Sequence, residues 1–183
     1  MKLPEPQTRT FSSLISEIEK GQIKIPQFQR EFVWTVQKSA GLIDSIIKGY
    51  PIGTFIFWKT KDRLRSVRDI GEQSLPEPEP GESIDYVLDG QQRLTSLYAC
   101  LKGIRMTRAG NKNIDDFSNI YINLESAEDE KIVTTEIDEE KINHHISILD
   151  LLTGDFTVLA NYPAEYHEKL RLYKNRIESY QYS

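Results

Sequence analysis

The chain has 183 residues, 38% of them hydrophobic, with one cysteine and a formal net charge of −5 at pH 7. That apolar content suffices for a cored domain, and it excludes a wholly disordered chain, a disulfide framework and a protein that grips polyanions over its whole surface. No stretch approaches the roughly 20 apolar residues of a membrane helix, and the start MKLPEPQTRTF lacks an export signal's apolar segment, so a cytoplasmic location without a membrane partner is expected.

In chain order, TFSSLISEIEKG predicts a short helix capped by Thr10 or Ser12, with Leu14, Ile15 and Ile18 apolar and Gly21 as its stop. QIKIPQFQREFVW follows, where Ile23 and Ile25 alternate as in a strand that Pro26 ends. TVQKSAGLIDSIIKG predicts a second helix, capped by Thr35 and left through Gly49. TFIFWK is a continuous apolar run, the pattern of a strand covered on both faces. Lys59, Lys61, Arg63 and Arg65 then recur at every second residue, which in an extended chain makes either a cationic face for phosphates or a solvated edge. GEQSLPEPEPGES is an exposed loop.

SIDYVL reads as a strand and LTSLYACL as a helix, with Leu94, Leu97, Tyr98 and Leu101 on its apolar stripe and Cys100 as a small buried hydrophobe. Lys102, Arg105, Arg108 and Lys112 form a second basic stretch, and NIYINLE and KIVTTEI are later strands. Tyr166, Leu170, Tyr173, Ile177 and Tyr180 recur at helical spacing near the end. The expected fold is α+β (mixed α/β), with residues 1–160 as the main domain and 161–183 as a C-terminal helical extension leading to a domain beyond this chain.

Between the SIDYVL strand and its helix lies DGQQR, which places Arg93 in a first helical turn, where the macrodipole disfavours a cation. In one reading Asp89 is the N-cap and Gln92 reaches back to it as a capping box, which leaves Gly90, Gln91 and Arg93 without a role. In the other, a bound phosphate takes the free amide N–H groups and pairs with Arg93, and Gly90 lets it approach the backbone. QFQREFVW supplies a second Gln-Arg pair, Gln29 and Arg30, with Phe28, Phe32 and Trp34 as anchors. Asp85 and Asp89 stand at i and i+4 on the strand, on one face, where both could hold Mg²⁺ beside a phosphate. The three histidines, His144, His145 and His167, do not form a nuclease constellation.

IPQFQREFVW, LIDSIIKGYPIGTFIFW and VLDGQQRLTSL, in that order and spacing, resemble the N-terminal domain of GmrSD-type, modification-dependent restriction endonucleases. The resemblance spans about residues 10–102 and is loose beyond them. It implies a ParB/sulfiredoxin-like core that binds and hydrolyses a nucleoside triphosphate with Mg²⁺, as the sensor half of an antiphage restriction system. By the same resemblance Asp89, Gln92 and Arg93 are catalytic and Gln29, Arg30, Gly90, Gln91 and Arg93 bind nucleotide, while the strand spacing nominates Asp89 and Asp85 for the metal. Implied partners are modified phage DNA and an HNH-type nuclease domain or subunit, with homo-oligomerisation open. A noncatalytic DNA-binding module and a ParB-like metal-dependent nuclease are the alternatives.

Overall fold

A computed structural model describes residues 6–137 and 139–182. The elements run β1 (Arg9–Thr10), α1 (Phe11–Glu19), β2 (Ile23–Pro26), α2 (Val36–Ile47), β3 (Ile56–Thr60), β4 (Val67–Arg68), β5 (Ile84–Asp89) and α3 (Gln91–Lys102). They continue with β6 (Arg105–Met106), β7 (Asp115–Asp116), β8 (Tyr121–Asn123), β9 (Val133–Thr134), β10 (His145–Ser147), α4 (Ile148–Thr153), α5 (Phe156–Ala160), α6 (His167–Glu178) and β11 (Gln181–Tyr182). The α+β expectation holds.

One sheet has the order β3-β5-β2-β4, with β2 and β5 parallel and the outer pairings antiparallel. A second has the order β10-β8-β9, and two short ladders join β6 to β7 and β1 to β11. The helices form where the sequence places them. Thr10 accepts from Ser13 N–H and Thr35 from Lys38 N–H, so each satisfies one of the donors that a helix start leaves unpaired. Leu14 and Ile18 of α1, Ile43 and Ile47 of α2, and Leu94 and Leu97 of α3 converge on one core with Ile23 and Val87 of the sheet. Each such side chain gains about 1.5–3 kcal/mol on burial. Asp44 of α2 accepts from Ile132 N–H at 2.8 Å and Val133 N–H at 3.0 Å, tying the second sheet to that helix.

Three local expectations change. β3 is an edge strand, and Ile56 and Trp58 are exposed on its outer side, so TFIFWK is covered on one face only. The strand ends at Thr60, and Arg63 turns to donate to the carbonyls of Glu79 and Glu82, so the alternating cations form no continuous face. The terminal helix α6 is not a free extension, because Leu170, Tyr173 and Ile177 lie in the common core and β11 pairs with β1. The two ends of the described chain are thereby joined across that core.

Candidate functional site

The cleft at the start of α3 is lined by two segments, Gln29, Arg30 and Trp34 after β2 and Asp89–Arg93, with the 50–55 turn before β3 held against Arg93. β5 delivers Asp89 at its last position, and Gly90, not Asp89, occupies the N-cap, in a left-handed conformation with φ +88° and no side-chain cap. A Cβ at Gly90 would stand 2.5 Å from the Phe55 ring, so the sharp exit from strand to helix needs glycine for both its φ and its space. The capping-box reading is therefore corrected: Asp89 caps nothing, and Gln92 does not reach back to it.

Gln92, 6% exposed, instead holds the 31–33 backbone with both ends of its amide. Its Nε2 donates to the Glu31 carbonyl and its Oε1 accepts from Val33 N–H, each at 2.9 Å. The same Nε2 donates to Gln91 Oε1. Arg93 holds the other wall. Nη1 donates to the Ile52 carbonyl at 2.6 Å, Nη2 donates to the Thr54 carbonyl at 2.8 Å, and the guanidinium lies 5.3 Å from the Phe55 ring centre. These two carbonyls offset the unfavourable dipole position without any anion. Gly53 makes the arrangement possible, since a Cβ there would come within 2.1 Å of Arg93 Nη1.

What remains available to a ligand is a different set. Arg30 is exposed and its guanidinium has no partner among the described residues. Asp89 is largely exposed and meets Arg93 Nη2 at 3.3 Å. Gln29 donates to the Leu88 carbonyl at 2.9 Å, which holds the 29–30 segment beside the end of β5. Phe32 is buried and Trp34 is half-buried with Lys38 Nζ 4.4 Å from its ring centre, whereas Phe28 is 74% exposed and anchors nothing. Arg68 of β4, which sequence spacing did not single out, donates to the carbonyls of Gln29 and Arg30 from behind.

Asp85 is not part of this cleft. It pairs with Arg9, is 6% exposed, and borders a separate polar cavity with Lys59 and Lys61. It stands four residue steps along the strand from Asp89, about 13 Å at the usual rise, so the two carboxylates cannot share an ion. No group of three metal-ligating side chains occurs among the described residues. Of the two aspartates, only Asp89, a largely exposed carboxylate that lines the cleft, could hold a Mg²⁺ there. Cys100 is buried and its thiol pushed up by desolvation, which makes it inert. Each histidine is bonded within the fold: His144 to the Tyr166 hydroxyl, His145 to the Lys141 carbonyl and His167 to the Tyr162 carbonyl.

The family described as GmrSD restriction endonuclease, N-terminal domain, matches residues 11–182. An uncharacterized protein of Methanocaldococcus jannaschii is 35% identical over 95 residues, which is 50% of this chain and 16% of that protein. The chain thus spans a small part of the length of that relative. Among the described residues, no helix is long and apolar enough to cross a membrane.

Proposed function

The chain belongs to the family of GmrSD restriction endonuclease N-terminal domains, and from that premise we propose that it binds and hydrolyses a nucleoside triphosphate as the sensor unit of a modification-dependent restriction system. The observation that carries the reading is the cleft itself, where a helix start with unpaired N–H groups, the free Arg30 and the exposed Asp89 meet within walls fixed by Gln92 and Arg93. A helix start with a mobile guanidinium suits a phosphate chain. Asp89 then carries Mg²⁺ against the phosphates. The ion supplies charge neutralisation when bound, while the chain's own residues orient the phosphates and close the cleft.

Arg93 and Gln92 serve in this reading as positioning residues rather than as ligands, because their polar atoms are committed to backbone. Gln29, Arg30, Gly90 and Gln91 face the nucleotide. The family supports a DNA-acting restriction system with a nuclease partner; in the proposed assembly that partner is an HNH-type domain or subunit that cuts modified phage DNA in the cytoplasm, and this unit reports nucleotide state to it. The reading as a plain DNA-binding module has less support, since Lys102, Arg105 and Arg108 are paired with Glu19, Asp116 and Asp115. A thermal-shift panel of the four ribonucleoside triphosphates with Mg²⁺, followed by phosphate release, tests the proposal. A ligand at about a hundred times its Kd adds about 2.7 kcal/mol of stability. No shift and no released phosphate with any of the four would refute it.

A further inference from the structure

We infer that a second cavity, behind Gln91, receives the base and ribose of the nucleotide, and that Gln91 and Thr95 read the base. This rests on the nucleotide-binding reading of the cleft. The cavity holds about 410 Å³ and is bordered by Gln91, Thr95, Arg68, Phe32, Met106 and Ala109, a size typical of small-molecule sites. Gln91 borders both spaces, so a ligand with phosphates at the helix start can pass its other end alongside that side chain.

Three polar groups on residues that border the cavity, from Gln91, Thr95 and Arg68, lack a partner and point to an occupant. Gln91 is 5% exposed, and because its Oε1 accepts from Gln92, its Nε2 is the end left over, without a partner among the described residues. Thr95 is 2% exposed and its Oγ1 also lacks a partner. They stand four residues apart on α3 and so share one helical face. Buried polar atoms are rarely left unpaired, and here Thr95 Oγ1 and Arg68 Nε, on two residues that border one cavity, are both left so.

The chemistry around them selects a base over an anion. The charged ends of the cations that border the cavity are committed: Arg68 Nη2 donates to the Gln29 and Arg30 carbonyls, which leaves its Nε as a single unpaired donor, and Arg108 Nε is paired with Asp115 at 2.5 Å. Glu31 and Glu72 border the same space and repel phosphate. Phe32 and Met106 give an apolar wall. A flat heteroaromatic ring with acceptor nitrogens and carbonyls answers both the amide donors and the hydroxyl, and the carboxylates suit ribose hydroxyls.

Isothermal titration of the full chain with each ribonucleoside triphosphate and with inorganic tripolyphosphate tests this, using Ala109→Trp to fill the cavity and Thr95→Val to remove the hydroxyl at constant shape. Ala109→Trp is expected to weaken the preferred nucleotide at least tenfold and Thr95→Val at least threefold, with tripolyphosphate affinity unchanged in both. Circular dichroism checks folding, and should Ala109→Trp not fold, Thr95→Val decides. Wild-type nucleotide affinity retained in the folded variants overturns the inference. A wild-type chain that binds tripolyphosphate as tightly as every nucleotide overturns it while leaving the phosphate cleft standing. A wild-type chain that binds neither removes the proposed function and this inference together.

Discussion

Arg93 and Tyr180 grip the same turn of chain through opposite ends of one residue: Arg93 Nη1 donates to the Ile52 carbonyl, and the Tyr180 hydroxyl accepts from Ile52 N–H at 3.2 Å while donating to the Tyr50 carbonyl at 2.9 Å. The start of α3 and the segment that follows α6 are thus connected through the 50–54 turn. Tyr182 extends the link, packing its ring 6.2 Å from Phe55, the residue that abuts Gly90.

Arg93→Ala is therefore expected to destabilise the fold, since two carbonyls lose a charged donor. The loss is about 2–3 kcal/mol, or roughly 4–12 °C in Tm for a chain of this size. Arg93→Lys should recover little, because one ammonium cannot span both carbonyls as a planar guanidinium does. Tyr180→Phe should cost about 1 kcal/mol. In a double-mutant cycle the two should couple by about 0.5–1 kcal/mol. Strict additivity in thermal melts would mean that the turn does not connect them.

Asp89→Asn separates chemistry from architecture. Asp89 caps no helix and its contact with Arg93 is an exposed pair at 3.3 Å, worth at most about 1 kcal/mol. Tm should stay nearly unchanged while Mg²⁺-dependent phosphate release falls at least tenfold. Release at the wild-type rate would remove Asp89 from the metal role.

What could be read ahead of the structure was which residues meet in one cleft. Gln29, Arg30 and Gly90–Arg93 do converge, and the order of helices and strands around them follows hydrophobic spacing. The roles of Gln92 and Arg93 were not legible, because their partners are backbone groups of Glu31, Val33, Ile52 and Thr54, and a carbonyl or amide leaves no mark in residue identity. Gly53 was the available signal, a glycine at φ +86° that yields its Cβ space to Arg93. Asp85 misled because the shared strand face drew attention from the rise, which already separates it from Asp89, and because spacing says nothing of Arg9 arriving from β1 to pair with it. The edge position of β3 depends on sheet order, which its own apolar run does not encode.

Lys24 gives a pH-dependent prediction away from the cleft. It is 1% exposed, and burial pulls its pKa down, but bonds from Nζ to Asp69 at 2.5 Å and Glu77 at 2.8 Å outweigh this and leave it raised. A pKa higher in the folded than in the unfolded chain means that the stabilisation is complete below about pH 10.4 and disappears as pH rises through the folded value. The buried tyrosines, Tyr182 among them, are raised by desolvation and act with the same sign. The Lys24 share is thus the difference between wild type and Lys24→Met in urea unfolding from pH 8 to 11.5. The wild-type advantage should be flat to about pH 10 and shrink above it. An advantage that grows above pH 10 would contradict the sign.

Finally, the chain alone is expected to leave DNA intact. Its three histidines are bonded to a tyrosine hydroxyl and two carbonyls, and no cluster of three metal-ligating side chains exists among the described residues. Strand cleavage needs a nucleophile activated beside the scissile phosphate, with a base or metal in reach. Under the proposed reading, hydrolysis of a nucleotide would ask less, because phosphoryl transfer to water needs mainly positioning and charge neutralisation. Incubating the purified chain with modified and unmodified phage DNA, Mg²⁺ and each triphosphate should yield free phosphate and no nicks. Nicks made by the wild type and absent with Asp89→Ala would assign the nuclease chemistry to this cleft and overturn its role as a sensor.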